Sequence, residues 1–522
     1  MSFVPFVSSL DAPLLLLSSQ DNFTLEDATE GVHAFGGIGS GKTTGTGKML
    51  SGAYLRAGFG GLVTAVKPEE VELWKRYANE HGRGNSLILF DENEGFNFLT
   101  YELARQGMEG IGTVTECLMR ILEAAKKISP TSAKGGDNEF FESSTRMTLR
   151  YTIAPLYAAY GQVSVGDIIR FVSAAPKSEK EAKDAAWQQG SFLYRTIKAA
   201  LDSPRVRISE QGMKNTIDFW SQRYVSIPEK TRGNIEITVG TVLDRFLHGR
   251  LARIFCGRTT LVPELTFHGA VVVLAMPTLT WNEDGIIAQQ LFKYMWQRAV
   301  LGRNSLAQEH RQRPVFLWSD EAQETVSSYD FEFQSICRGS KCCTVYLTQS
   351  LPTYYAKMGG GGDNGRDAAH ALVGKFNTHV YHSNACPETN EFASRMIGKV
   401  LTRRGNFSQG SSQSFNEGMS AGNSQSSGDS SSYSMGQGIG NSTGSNSSNG
   451  NNWGDSRGRG TSENFSRGYS ESIEYVIEPG DFARILKTGG KANGGIVTGL
   501  WFQSGRMFHA SDGNMMIRRF KQ

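Results

Sequence analysis

Two stretches of this 522-residue chain, nearly three hundred residues apart, carry side chains whose types and spacing suit phosphate chemistry. The first is HAFGGIGSGKTT, starting at His33. Its Gly36-x4-Gly41-Lys42-Thr43 spacing is that of a loop that wraps phosphate. Glycines let the backbone turn so that several N–H groups point inward at phosphate oxygens. Lys42 reaches the β- and γ-phosphates, and the Thr43 hydroxyl ligates Mg²⁺. The candidate binding residues are Gly36, Gly37, Ile38, Gly39, Ser40, Gly41, Lys42, Thr43 and Thr44. The plainer reading is a glycine-rich turn in a chain with 60 glycines. Context favours phosphate. An apolar run, Val32–Phe35, reads as a strand before the loop. Met49, Leu50, Tyr54 and Leu55 fall at helical spacing after it, and a helix start adds partial positive charge. Gly45 and Gly47 count against that helix by about 1 kcal/mol each.

The second stretch is RPVFLWSDEAQE. An apolar strand, Val315–Trp318, runs out into Ser319, Asp320 and Glu321. An acid at such a strand end orients water on Mg²⁺, which is the role expected of Asp320. Glu321 is placed to polarise the attacking water. Alone, the pair is equally a strand entering an acidic loop; with the glycine loop upstream it becomes the second element that a hydrolase needs. Further on, CRGSKCCTVYLTQSLPTYY puts Gln349 at the tip of another strand, Cys343–Leu347. There it can touch the γ-phosphate, or merely make a strand-end hydrogen bond. Arg338, eleven residues earlier, is either a solvated loop arginine or, in a ring, a finger into the neighbour's nucleotide.

The elements that must position these residues follow from the apolar runs. Val32–Phe35, Gly61–Val66, Ser86–Phe90, Ala270–Met276, Val315–Trp318, Cys343–Leu347 and Thr378–Tyr381 are mostly β-branched or aromatic, with helical segments between many of them. The alternation predicts an α/β fold with a mostly parallel sheet. Residues 102–262 show helical spacing and almost no strand signal, so they are expected to form an all-α insertion after the third strand. Residues 405–470, rich in Gly, Ser, Asn and Gln and free of proline, predict a disordered excursion that buries too little apolar surface to order. The expected organisation is 1–101 and 263–404 as two parts of one nucleotide-binding domain, 102–262 inserted, 405–470 flexible, and 471–522 a closing segment with a short helix and a β-hairpin.

Composition narrows the class. A net charge of +3 and 39% apolar residues suit a globular chain and announce neither acidic nor basic excess, so any nucleic-acid site must be a local patch or a ring of copies. The six cysteines include no C-x-x-C pair, which predicts a reduced, cytosolic protein. No segment reaches the ~18 apolar residues of a membrane span. The N-terminal FVPFVSSLDAPLLLLSS, broken by Pro5, Asp11 and Pro13, reads as neither signal peptide nor anchor.

With these residues assembled, the order of motifs resembles the type IV secretion coupling proteins, the TraG/TraD-like motors of conjugation within the HerA/FtsK group of P-loop NTPases. The resemblance rests on Gly36–Thr43, Asp320–Glu321, the Arg338–Gln349 spacing, TQSLPTYYAKMG, NTHVYHSNACPETNEFASRMIGKVLTRR, and a Ser/Gly-rich stretch before EPGDFARIL. It covers most of the chain from about residue 22. It implies a RecA-like P-loop ATPase core, ATP and Mg²⁺ as cofactors, and a homohexamer with Lys42, Thr43, Asp320, Glu321 and Gln349 on one side of the nucleotide and Arg338 from the next subunit. It also implies single-stranded DNA with relaxase as substrate, channel components as partners, and a place at the cytoplasmic face of the inner membrane.

Two features depart from the family. This chain has no membrane helix, which points to a separate anchoring protein. The family's Asp-x-Lys is here Ala65-Val66-Lys67, so the acid's role does not transfer. Two other readings stay open: a soluble HerA/FtsK-like DNA translocase or packaging ATPase, and a nucleotide-switch adaptor that recruits secretion substrates.

Overall fold

The computed structural model describes residues 4–128, 137–204, 206–358, 363–416, 426–431, 443–448 and 458–522. Nine strands form one sheet: β1 (Val32–Phe35), β2 (Gly60–Thr64), β3 (Leu87–Phe90), β4 (Val271–Leu274), β5 (Val315–Ser319), β6 (Cys342–Thr348), β7 (Thr378–Tyr381), β8 (Ile496–Gln503) and β9 (Met515–Lys521). Their order is β9-β8-β7-β1-β6-β5-β2-β4-β3. From β7 to β3 all neighbours run parallel, while β8 and β9 are antiparallel additions. Every residue of β1, β2, β4, β5, β6 and β7 is buried, as strands covered on both faces require. The α/β, RecA-like class expected from the sequence is the one observed.

Three helices matter for the site: α1 (Lys48–Arg56), α2 (Pro68–Glu80) and α3 (Thr278–Gly302). Trp74 of α2 stacks on Phe316 of β5 and meets Trp318 edge-on, in a core that also holds Leu50, Tyr54, Val63, Val273 and Val345. Lys293 of α3 is fully buried and reaches the Asp330 carboxylate at 2.6 Å and the Thr325 carbonyl at 2.6 Å. Tyr346 and Gln297 donate to the other Asp330 oxygen. A buried pair so fully hydrogen-bonded fixes the loop that follows β5.

Between β3 and β4 every described element is helical, the longest being Gly110–Ile128 and Asp137–Tyr160. Aromatic residues seal this layer: Tyr151 stacks on Phe219, and Trp220 packs edge-on against Phe171. The chain divides into one unit of Met1–Asn390 with Gly480–Gln522 and another of Glu391–Pro479.

Three local expectations meet a different outcome. The turn after the phosphate loop is a π turn over Thr43–Gly47, closed by the Gly47 N–H on the Lys42 carbonyl, before α1 begins. Its glycine has a reason: a Cβ on Gly45 would lie 3.2 Å from the Phe520 ring. The second strand of the closing hairpin is Met515–Lys521 rather than the preceding RMFHAS. Within the expected excursion, Lys399–Asn416 pairs antiparallel with Gly458–Tyr475, and Ser426–Ser431 with Thr443–Ser448. A stretch without proline keeps every N–H for a ladder. Residues 417–425, 432–442, 449–457 and the Gly359–Gly362 loop lie outside the described residues.

Candidate active site

Parallel strands collect their carboxyl ends on one edge, and loops there carry the ligand chemistry of open α/β sheets. Register brings Phe35 level with Thr348 and Tyr381, and Ser319 level with Tyr346 and Thr64. The loops after β1, β2, β5, β6 and β7 therefore meet.

The loop after β1 turns through positive φ at Gly39 (70°) and Gly41 (84°). At Gly41 glycine is obligatory twice over, because a Cβ would also stand 2.5 Å from Val497 of β8. Lys42 is buried, and its ammonium lies 3.9 Å from Glu321 Oε1. The Thr43 hydroxyl donates to Asp320 Oδ2 at 2.7 Å. Two motifs 277 residues apart are thus joined by one hydrogen bond. Thr46 donates to His382 Nε2 at 2.8 Å. His382 Nδ1 faces the Thr498 carbonyl at 3.1 Å, an acceptor only, so the proton sits on Nδ1. Burial pushes His382 down to about 4, against a smaller opposing effect of the Thr498 bond. Gln522 donates to the Thr44 hydroxyl at 2.7 Å, so the closing hairpin covers the end of the phosphate loop.

Glu321 stands in the left-handed region, φ 51° and ψ 49°, which costs a non-glycine residue on the order of 1–2 kcal/mol. Its carboxylate is crowded with donors. Oε1 accepts from Lys67 at 2.9 Å and Gln349 at 3.1 Å; Oε2 accepts from Gln323 at 2.9 Å and Gln349 at 3.2 Å. Burial alone would raise its pKa, but Gln323, Lys42, Lys67 and Gln349 overturn that and hold it at about 2. Asp320, fully buried, is raised by desolvation, which the charge of Lys42 and the Thr43 bond partly oppose. Gln323 is itself oriented by the Thr348 hydroxyl, which donates to its Oε1 at 2.6 Å.

The donor set fits a hydrated divalent cation beside phosphate. Thr43 and Asp320 present adjacent hard oxygens, as Mg²⁺ prefers. Among the described residues no cluster of three or more His, Cys, Asp or Glu could cage a metal, so further ligands would have to be phosphate oxygens and water. The Ser40 hydroxyl is buried without a partner among the described residues, as a group awaiting a ligand would be.

Of the residues singled out in the sequence, Lys42, Thr43, Asp320, Glu321 and Gln349 come together. Arg338 does not. It precedes β6, at the opposite strand ends, roughly 20 Å from the phosphate loop at ~3.3 Å per residue. There it pairs with Glu26 at 2.8 Å and Glu30 at 3.1 Å, more than half exposed. Sequence reasoning missed Gln323, His382 and the hairpin residues Val497, Phe520 and Gln522, and gave Lys67 no role. Gln323 had a readable signal, a carboxamide two residues after Glu321. The hairpin had none, because only tertiary structure brings it to the loop.

Residues 314–468 match the family model described as the TraM recognition site of TraD and TraG. That stretch of the chain is TraG/TraD-like. It begins at β5, carries Asp320, Glu321 and Gln349, and ends inside the Ser/Gly-rich segment. No curated protein sequence matches the chain. Among solved structures, the bacterial conjugative coupling protein TrwBdeltaN70 in its unbound monoclinic form shares the fold at a TM-score of 0.53 and 14% identity, over 96% of this chain and 86% of that one. The plasmid coupling protein TrwB in complex with the non-hydrolysable ATP analogue ADPNP matches at 0.52 and 14%, over 95% and 86%. The resemblance to coupling proteins drawn from the TraG/TraD-like motifs is borne out. Among the described residues no helix is long and apolar enough to cross a membrane.

Proposed function

We propose that this chain is the ATP-hydrolysing motor of a conjugation or type IV secretion machine. The observation that carries the reading is the Thr43–Asp320 hydrogen bond beside Glu321, whose two acids lie in a TraG/TraD-like segment. It sets a phosphate loop against an acidic strand end in the way hydrolysis requires. TrwB, whose fold this chain shares, has been solved with ADPNP, which supports nucleotide binding by this chain.

In this reading Lys42 holds the β- and γ-phosphates, and Thr43 with Asp320 (through water) holds Mg²⁺. A bound Mg²⁺ would neutralise charge on the transferring phosphoryl group. Glu321 polarises the attacking water and Gln349 holds Glu321 in place. Six copies form a ring in which Arg338 of one subunit reaches the nucleotide of the next. The ring moves single-stranded DNA with its relaxase toward a secretion channel, and residues 102–262 form the inserted domain. The family description supports a TraM-like recognition partner for residues 314–468. The ring would work at the cytoplasmic face of the inner membrane.

Glu321→Gln tests the core of this. It should keep ATP binding and lower turnover about 10²–10⁴-fold, the usual share of a general base. Unchanged turnover would overturn the assignment. Single-stranded DNA should stimulate the wild-type protein, less so as salt rises; no DNA effect at any salt would favour the adaptor reading.

A further inference from the structure

Glu321 is expected to polarise water, yet its carboxylate has no room for one. An ionised carboxylate offers about four acceptor directions. Here four contacts fill them: Lys67 and Gln349 on Oε1, Gln323 and Gln349 on Oε2. One donor must leave before water can enter.

The three donors differ in what holds them. Gln323 is buried and its carbonyl oxygen is taken by Thr348. Gln349 continues directly from β6, and its backbone carbonyl accepts from Asn384 at 2.9 Å. Lys67 is different. Its backbone is rigid: the Gln289 carboxamide bonds both the N–H and the carbonyl of neighbouring Ala65, Glu70 accepts from the Val66 N–H at 2.7 Å, and the Glu70 N–H returns to the Lys67 carbonyl. Its side chain is 43% exposed. A fixed stem therefore carries a flexible four-carbon arm at the mouth of the site.

The arm has somewhere to go. Lys42, the cation of the phosphate loop, lies 3.9 Å from the same Glu321 oxygen that Lys67 holds. Two ammonium groups converge on Oε1, so a phosphate bound to Lys42 stands next to Lys67. It offers a more highly charged partner than one carboxylate oxygen.

We propose that Lys67 is a second cationic ligand of the γ-phosphate, held on Glu321 until a nucleoside triphosphate enters. The transfer is a rotation of the arm. It charge-pairs Lys67 with the γ-phosphate and frees Oε1 for the attacking water in the same movement. A diphosphate leaves Lys67 where it is, so the base is unmasked only when there is something to hydrolyse. The inference rests on the phosphate-site reading above.

Equilibrium binding of the full chain to Mg²⁺ with a non-hydrolysable ATP analogue, and separately with ADP, tests it in the wild type, Lys67→Ala, Lys67→Arg and Lys42→Ala. Lys67→Ala should weaken the triphosphate tenfold or more and leave ADP within about twofold, as expected for loss of one charge-assisted contact. Lys67→Arg should recover most of the loss. Equal weakening of both nucleotides, or no change in either, overturns the Lys67 assignment while Lys42→Ala still abolishes binding. If the wild type binds neither nucleotide, or Lys42→Ala changes nothing, the phosphate-site reading falls and this inference with it.

Discussion

The two ends of the central sheet handle cations in opposite ways. At the amino ends, Arg83, Arg303 and Arg313 are buried and bonded to carbonyls. Arg83 reaches Leu55 at 2.8 Å, Phe59 at 3.0 Å and Gly269 at 2.6 Å; Arg303 reaches the carbonyls of Arg313 and Ser340; Arg313 reaches those of Gly58 and Val4. The carbonyls of Gly58, Phe59, Gly269, Arg313 and Ser340 lie just before β2, β4, β5 and β6, so the three guanidinium groups rivet the strand starts together. Burial lowers Arg303 and Arg313 to about 10, still charged at neutral pH. At the carboxyl ends, Lys42 and Lys67 meet Glu321, a titratable group on a strained backbone. A carbonyl offers a cation no alternative state, whereas a carboxylate can exchange partners. One edge is therefore built to stay and the other to change.

Arg338 offers the sharpest way to break that division, since it sits on the amino edge but is proposed to act on a neighbour's nucleotide. Arg338→Ala should cut turnover of the assembled protein about 10³-fold. Its unfolding free energy should stay within about 1 kcal/mol of wild type, because the Arg338 side chain is more than half exposed in both pairs. Normal turnover would return Arg338 to the static edge. Next in size, Arg83→Met should cost about 3 kcal/mol in urea unfolding by removing three charge-assisted hydrogen bonds to buried carbonyls, with nucleotide affinity unchanged. A drop in nucleotide affinity alone would show that the two ends are coupled.

The smallest effect concerns pH. His379 and His382 are both buried and both lowered to about 4 from 6.5, with desolvation the main cause. The unfolded chain then binds more protons between those values, so stability is full above about pH 6.5 and is lost as pH falls toward 4. Each imidazole should account for roughly 2 kcal/mol between pH 7 and 5. His382→Gln should flatten that dependence in urea midpoints taken across the range. An undiminished slope would place the proton uptake elsewhere.

Much of this was legible before any coordinates. The strands were readable because parallel strands buried on both faces become continuous apolar runs, and the phosphate loop because its glycines stand at fixed offsets. Asp320 and Glu321 declared themselves as acids at the end of such a run. The donors around Glu321 did not. Lys67 is an ordinary lysine before a proline until β2 lies beside β5, and Gln349 shows its partner only once β6 does. The arginine rivets were equally silent, since a carbonyl partner leaves no mark on the sequence. Periodicity reports what a residue turns its back on; pairing across a sheet reports what it faces.

The contact between Gln522 and Thr44 spans 478 residues, and it sets a timetable. As the chain leaves the ribosome, the phosphate loop emerges hundreds of residues before its cover. At 5–20 residues per second the interval is roughly half a minute to a minute and a half. Until then Gly41 and Gly45 face an empty place where Val497 and Phe520 belong. The arrangement ties a finished phosphate loop to the arrival of that hairpin, so a nascent copy still without it lacks part of the loop's packing.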